Sequence, residues 1–242
     1  MRYDLPAPEM LARQAEWLAP ARSRLLRQVS IARRKCVLDL GAGYGATTGE
    51  LARRAGGMVV AMDRAAGALR VDAASFGGAQ RVGGDAVRLP FADATFDLVF
   101  TQLTLLWVQS IEHALHEIGR VLRAGGALVA LEPDYGGMIE YPPVIATREL
   151  WIQGLARAGA DPFIGRRLPG LLAACGFRVT VGLFDALYAP SVARFDFLRD
   201  LPLTAEEGAT LARIEQEAAA RQGPWGQVAH LPFFLVTAMK LD

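Results

Sequence analysis

The apolar positions of this chain change period along its length, and those changes divide it into elements. Residues 7–29 carry Met10, Leu11, Trp17, Leu18, Leu25 and Leu26 as an interrupted stripe, which predicts helix broken at Pro20. A strand over 35–40 then runs into a helix over 46–55. Met58-Val59-Val60-Ala61-Met62 is a short, continuously apolar run, as expected of a strand buried on both faces. A helix over 64–75, a weak strand over 80–84 and a loop over 85–93 follow, and strand character returns at 96–101. Helix 111–123 places Ile111, Leu115, Ile118 and Leu122 on one face of a 3.6-residue period, with Gly125-Gly126 as its stop. Residues 127–131 read as a fifth buried strand. Strands alternating with helices in this way predict a parallel sheet covered on both faces, with right-handed crossovers.

After Tyr135 the rhythm changes. Helices are expected over 143–160 and 165–174, and a strand of alternating character over 177–188. Residues 191–222 read as helix, with an N-cap and acidic first turn at Thr204-Ala205-Glu206-Glu207, and 230–240 as a final strand.

The stretch Val37-Leu38-Asp39-Leu40-Gly41-Ala42-Gly43-Tyr44-Gly45-Ala46-Thr47 carries the first candidate chemistry. A strand that turns tightly into a helix needs glycine where φ is positive or where the backbone approaches a ligand closely. The helix start then offers unpaired N–H groups to a nucleotide-like cofactor. An ordinary strand–helix turn would carry the same glycines. Gly41-x-Gly43-x-x-Ala46 also fits the dinucleotide fingerprint, which allows alanine at its third position. Asp63 ends the second strand, 24 residues after Asp39, about where an acidic residue meets ribose hydroxyls; a surface aspartate opening the next helix is the alternative. The loop implies a cofactor at a strand end and leaves its identity open.

Composition narrows the classes. Of 242 residues 52% are hydrophobic and 21% charged, ample for a core and against global disorder. A net charge of +1 argues against binding nucleic acid by phosphate neutralisation. No apolar run reaches the ~18 residues of a membrane span, and residues 1–6 lack the apolar region of a signal peptide, so a cytoplasmic protein is expected. Cys36 and Cys175 are expected as buried thiols, and the three histidines form no cluster at metal spacing, so no metal site is expected.

Several ordered motifs carry a resemblance: the glycine loop, Asp63, Gly84-Asp85-Ala86 with Leu89-Pro90-Phe91, Phe96-Asp97-Leu98-Val99, and Arg120-Val121-Leu122-Arg123-Ala124-Gly125-Gly126. In that order the chain resembles the class I S-adenosylmethionine-dependent methyltransferases, in particular the small-molecule branch of ubiquinone and menaquinone biosynthesis. The likeness covers roughly residues 35–133. It implies an α/β fold: a Rossmann-like seven-stranded mixed sheet, order 3-2-1-4-5-7-6, strand 7 antiparallel, with helical cap insertions. The whole of 1–242 would be one domain, with N-terminal helices at 1–30, a cofactor core at 35–133 and cap segments at 136–170 and 190–228.

The cofactor would be S-adenosyl-L-methionine and the product S-adenosyl-L-homocysteine. By resemblance, Gly41, Ala42 and Gly43 approach the methionine part, and Asp39 stands behind the loop near the cofactor ammonium. Asp63 accepts from both ribose hydroxyls, which suits a carboxylate. Asp85 accepts from the adenine amino group while the Ala86 N–H donates to the ring. Arg64 and Leu103 flank the adenosine, and Thr101 and Gln102 line the end of strand four. Relatives often carry a His-Trp pair where this chain has Leu106-Trp107, and an apolar residue where it has Arg64.

Transfer from a sulfonium demands alignment and exclusion of water, and a base only where the nucleophile must lose a proton. Glu132, Asp134 and Tyr135, at the end of strand five, are the candidates for that base; a turn shaped by Glu132-Pro133 is the competing reading. His113 and His116 are expected in solvent, and His230 at the substrate mouth is a further candidate. Arg13 and Gln14 read as ordinary surface positions, with contact to the cofactor carboxylate as the alternative, and Arg166 and Arg167 as exposed arginines at a helix start, with binding of an anionic acceptor as the alternative. Tyr141, Trp151, Leu155, Phe163, Phe195, Phe197, Leu198, Trp225 and Phe233 are too many for a surface loop; a cap over a mostly apolar pocket would bury them, as would a lid packed on itself or a dimer interface. The expected partner is a small, largely apolar methyl acceptor, with no nucleic acid and oligomeric state open. The rival classes are a nicotinamide-dependent oxidoreductase and a non-catalytic cofactor-binding or interaction protein.

Overall fold

The computed structural model describes residues 5–187, 190, 194–221, 223 and 225–241. Its strands are β1 Cys36–Leu40, β2 Met58–Asp63, β3 Gln80–Gly83, β4 Phe96–Gln102, β5 Leu122–Pro133, β6 Ile139–Tyr141, β7 Phe177–Leu183, β8 Val228–His230 and β9 Phe233–Lys240. Seven of them form one sheet in the order β3-β2-β1-β4-β5-β9-β7, and β6 and β8 pair as a separate antiparallel ribbon. β1 to β5 run parallel, while β9 is antiparallel to both β5 and β7. Leaving the ribbon aside, this is the expected order 3-2-1-4-5-7-6 with the last strand inserted antiparallel.

Alternation along the central strands sends side chains to two different helical layers. Val37, Leu98, Phe100 and Val129 pack with Leu18, Leu25 and Leu26 of α1 Pro8–Trp17, α2 Ala19–Gln28 and the residue joining them. Their neighbours Leu38, Val99 and Leu128 pack with Leu115 and Ile118 of α4 Ile111–Val121 and Leu168 and Leu172 of α6 Ile164–Ala174; α3 is Thr48–Arg54. The central strands are therefore buried on both faces, as continuous apolar runs require. Beyond β5 lie α5 Arg148–Arg157, α7 Arg194–Arg199 and α8 Ala205–Ala219. Leu150, Leu155, Phe195, Leu198, Leu211 and Ile214 of these helices join the same core as the sheet. These helices pack on the sheet and form no detached lobe.

Several boundaries differ from expectation for local reasons. In place of a helix over 64–75 there are two 3-10 turns, Ala68–Arg70 and Ala74–Phe76. Asp63 and Asp72 take the N–H groups of Ala65 and Ala74, and Asp72 also takes the Ser75 hydroxyl. Such local bonds compete with the helical ladder. Helix α4 stops at Val121, before the two glycines: Lys240 donates to the carbonyls of Gly119 and Leu122 at 2.8 and 2.7 Å, and Leu122 already pairs with Phe96. A cation at that end also complements the helix dipole. The N-terminal break falls at Leu18, with Pro20 inside the first turn of α2, where its missing N–H costs nothing. Pro232 divides the expected strand 230–240 into β8 and β9. Residues 143–147 precede α5 as a 3-10 turn and its exit. The expected strand over 177–188 ends at Leu183, and the helix over 191–222 is two helices separated at Pro202; Tyr188, residues 191–193 and Gln222 lie outside the described residues.

Candidate functional site

The glycine loop is fixed by backbone bonds to β2. Gly41 and Ala42 both donate to the Met62 carbonyl, at 2.8 and 3.0 Å, and the Gly43 N–H donates to Asp63 Oδ2 at 2.8 Å. Gly41 has φ +79°, and a Cβ there would stand 2.2 Å from the Thr104 hydroxyl oxygen. Only glycine satisfies both demands. Beneath the loop Asp39 is buried, accepting from the Thr48 hydroxyl at 2.6 Å and the Thr47 hydroxyl at 3.4 Å. Burial pushes its pKa up to about 6, partly offset by the two threonines.

Two cavities meet over this loop, sharing Gly41, Leu103, Thr104 and Trp107 in their walls. The smaller, about 250 Å³, is lined by Asp63, Arg64, Asp85, Ala86 and Val87 from the ends of β2 and β3. Asp63 gives one oxygen to Gly43 and the other to the Ala65 N–H at 2.7 Å; an ionised carboxylate has about four acceptor sites, so each oxygen retains one. Asp85 is exposed, and its carboxylate accepts only from the Val87 N–H, at 3.1 Å, among the described residues.

The larger cavity, about 480 Å³, runs from the loop to the cap. One wall comes from α1, with Leu11, Gln14 and Trp17. The cap supplies Met138, Trp151, Leu155, Phe197 and Leu201, and the β8–β9 corner His230, Leu231 and Phe233. Trp17 meets Phe233 edge to face at 5.2 Å, and Tyr135 lies against Trp151 at 4.9 Å. Gln102 faces this space and accepts at 3.1 Å from buried Arg22, whose guanidinium also pairs with Glu50 at 2.7 Å. Burial lowers the His230 pKa.

The turn Leu105–Trp107, which separates the two cavities, rests on Glu132. Its Oε1 accepts from the N–H groups of Thr104 and Leu105 at 3.1 and 2.9 Å, while Oε2 is buried without a hydrogen-bond partner. Burial raises the Glu132 pKa to about 7, with those backbone bonds opposing. Leu103, just before the turn, adopts φ +54°.

The structure thus brings Asp39, Gly41, Ala42, Gly43, Gln102, Leu103 and Tyr135 to the larger cavity and Asp63, Arg64, Asp85 and Ala86 to the smaller. Two expectations are corrected. Thr101 is fully buried and lines neither cavity, because adjacent strand residues face opposite ways and Gln102 takes the cavity side. Asp134 is buried against Arg166, which donates Nε at 2.9 Å and Nη2 at 2.7 Å, and it too lines neither cavity. The same pair removes Arg166 from the acceptor candidates, and Arg167 is engaged by Asp161. Arg13 lines the cavity while pairing with Asp196 at 3.3 Å. His113 and His116 are exposed on α4, Tyr141 and Trp225 are exposed, and both cysteines are free, Cys36 buried and Cys175 half-buried. Among the described residues no cluster suits a metal ion, and no helix is long and apolar enough to cross a membrane. The sequence reading missed Thr104, Arg22 and Arg194. The threonine had a signal in its place just past strand four; the two arginines had none, since their roles depend on contacts across the fold.

Residues 38–130 match the family described as Methyltransferase domain. The matched stretch runs from β1 to β5 of the sheet. A demethylmenaquinone methyltransferase from Thermobifida fusca is 42% identical over 125 residues, which are 48% of this chain and 52% of that protein. The chain spans about half the length of the curated relatives it matches. A proposed methyltransferase from Bacillus halodurans superposes with TM-score 0.68 at 18% identity, covering 91% of this chain and 98% of the other. Geranyl diphosphate methyltransferase in complex with SAM superposes with TM-score 0.56 at 16% identity, covering 95% of this chain and 85% of the other. At such identities the structural likenesses establish the fold alone.

Proposed function

We propose that this chain is an S-adenosyl-L-methionine-dependent methyltransferase acting on a small, largely apolar acceptor. The observation that carries the reading is the pair of cavities joined at Gly41 and Thr104, one edged with carboxylates and the other walled by apolar side chains. In this reading Asp63 accepts from the ribose hydroxyls, Asp85 and the Ala86 N–H receive the adenine, and Arg64 and Leu103 flank it. Gly41, Ala42 and Gly43 let the backbone come close to the methionine part, for which Gly41 alone leaves room beside Thr104. Asp39 holds the start of α3 through its two threonines. When bound, the cofactor supplies an electrophilic methyl on a sulfonium. The chain's own residues orient and exclude water: Trp151, Leu155, Phe197 and Phe233 wall the acceptor space, and Gln102, held by Arg22, keeps a polar edge beside the loop. Tyr135 is the remaining candidate to meet the acceptor at the end of β5.

The demethylmenaquinone methyltransferase relative and the SAM-bound neighbour support this reading. Within it, residues 1–242 form one domain, with 136–170 and 190–228 as cap segments and a cytoplasmic location without nucleic-acid partners. Calorimetry with S-adenosyl-L-homocysteine and with NAD tests it. Binding of the first and not the second is expected, with affinity at least about tenfold weaker in Asp63→Ala, since bonds to a charged acceptor contribute ~1.5–3 kcal/mol each. Preference for NAD, or unchanged affinity in that variant, overturns the assignment. Methyl transfer to a panel of quinols and phenols then separates an enzyme from a non-catalytic binder.

A further inference from the structure

Arg194 opens α7 and lines the larger cavity, yet its charge has no ion-pair partner among the described residues. Nη2 donates to Gln227 Oε1 at 3.2 Å, while Nε and Nη1 are buried with no hydrogen-bond partner. No carboxylate among the described residues forms an ion pair with it. The nearest acidic influence is Glu140, whose oxygens are already taken by the N–H groups of Thr147 and Arg148 and by the Thr147 hydroxyl. The guanidinium lies over the Phe195 ring at 4.6 Å, an attraction that offsets only part of the desolvation of an unpaired charge. Among the described residues the other charged groups on this cavity are satisfied: Arg13 by Asp196 and Asp39 by two threonines. His230, on the strand beside Gln227, is held towards its neutral form by burial.

We infer that the acceptor is an apolar body bearing one carboxylate, and that Arg194 is the residue that recognises it. The inference rests on the methyl-transfer reading only for the word acceptor; the anion subsite stands on the cavity itself. One unpaired cation matches one negative charge, whereas a phosphate dianion would call for a second free cation, which the described residues of these walls do not offer. A guanidinium is suited to the task because its N–H groups lie in one plane and pair with carboxylate oxygens in charge-assisted bonds. An unpaired buried charge lowers stability, so removing it should not harm the fold.

The test uses two matched pairs of probes, 2-naphthoate with 2-naphthamide and decanoate with decanamide. Each is titrated into the full chain with and without saturating S-adenosyl-L-homocysteine. At least one acid should bind about tenfold more tightly than its amide, as a charge-assisted bond implies. Arg194→Met should abolish that preference without weakening the amide, Arg194→Lys should keep part of it, and Arg194→Met should melt no lower than wild type. Equal binding of acids and amides, failure of both acids to bind, or a preference that survives Arg194→Met overturns the inference. A lower melting temperature in Arg194→Met with no change in probe preference assigns the residue to the fold instead. If S-adenosyl-L-homocysteine fails to bind while the Arg194-dependent preference holds, the methyl-transfer reading falls and the anion subsite stands.

Discussion

The two ends of the joined cavity are built by different means. At the glycine loop the walls are backbone: Gly41 and Ala42 share the Met62 carbonyl, and Gly43 is tied to Asp63. At the cap they are side chains brought from distant parts of the chain, with Trp151 from α5, Phe197 from α7 and Phe233 from β9. A backbone-built wall tolerates few substitutions because φ and close approach are fixed, whereas a side-chain wall can be recut without touching the loop. The loop end is thus suited to a constant ligand and the cap end to a variable one.

The hardest test of that contrast is Gly41→Val. A Cβ at this position meets Thr104 at 2.2–2.7 Å, and φ is +79°. A left-handed conformation costs a β-carbon residue about 1–2 kcal/mol before the clash is counted. Calorimetry should show cofactor affinity reduced on the order of 100-fold or lost. Near-normal affinity would mean that Thr104 moves freely, and that the loop end is no more rigid than the cap.

Buried carboxylates support both regions, Asp39 under the loop and Glu132 under the turn dividing the cavities. Their folded pKa values of about 6 and about 7 lie above the ordinary 3.8 and 4.5. Between roughly pH 4 and 7 the folded chain therefore holds protons that the unfolded chain has released, so stability falls as pH rises through that window and levels above it. Each contributes on the order of 3 kcal/mol to the fall. His230 works oppositely, its lowered pKa costing stability below the ordinary 6.5. Urea unfolding at pH 4.5 and 8 should show Asp39→Asn and Glu132→Gln each flattening the dependence. A slope unchanged in both variants would mean that water reaches these groups.

At the cap, Trp151→Ala and Phe197→Ala are expected to raise the acceptor KM several-fold while cofactor affinity stays within about twofold. Hydrogen exchange should show residues 148–157 and 194–199 opening more readily than β1 and β4, and becoming protected when cofactor and acceptor bind together. A parallel loss of cofactor affinity would join the two regions into one.

The same division explains what could be read from the chain. The alternation of strands and helices and the glycine loop were legible because backbone demands leave residue-type traces at fixed spacing, whereas the strand order came with the resemblance to the methyltransferases. The aromatic cap residues could be named, but Tyr141 and Trp225 proved exposed while Trp151 and Phe197 line the cavity, because burial there depends on how separate helices dock. Asp134 looked like a base at a strand end. Only the fold shows that Arg166, 32 residues later, occupies it. Arg194 carries no motif at all; its interest lies in the absence of an ionic partner among the described residues.

Asp85 gives the finest test, because it sits in the same cavity as Asp63 with far less support. Asp63 is buried and takes two backbone N–H groups, whereas Asp85 is exposed and takes one, at 3.1 Å. An exposed acceptor exchanges one partner for water, so its net contribution is about 0.5–1.5 kcal/mol. Asp85→Asn should therefore weaken S-adenosyl-L-homocysteine by roughly two- to tenfold. It should do so without changing the melting temperature, which Asp63→Ala is expected to lower by freeing Gly43. The decisive comparison uses a cofactor analogue lacking the adenine amino group. If Asp85 reads that group, wild type should lose affinity for the analogue and Asp85→Asn should lose little more. Equal losses in both proteins would remove Asp85 from base recognition and leave the adenine to the Ala86 backbone and the walls of Arg64 and Leu103.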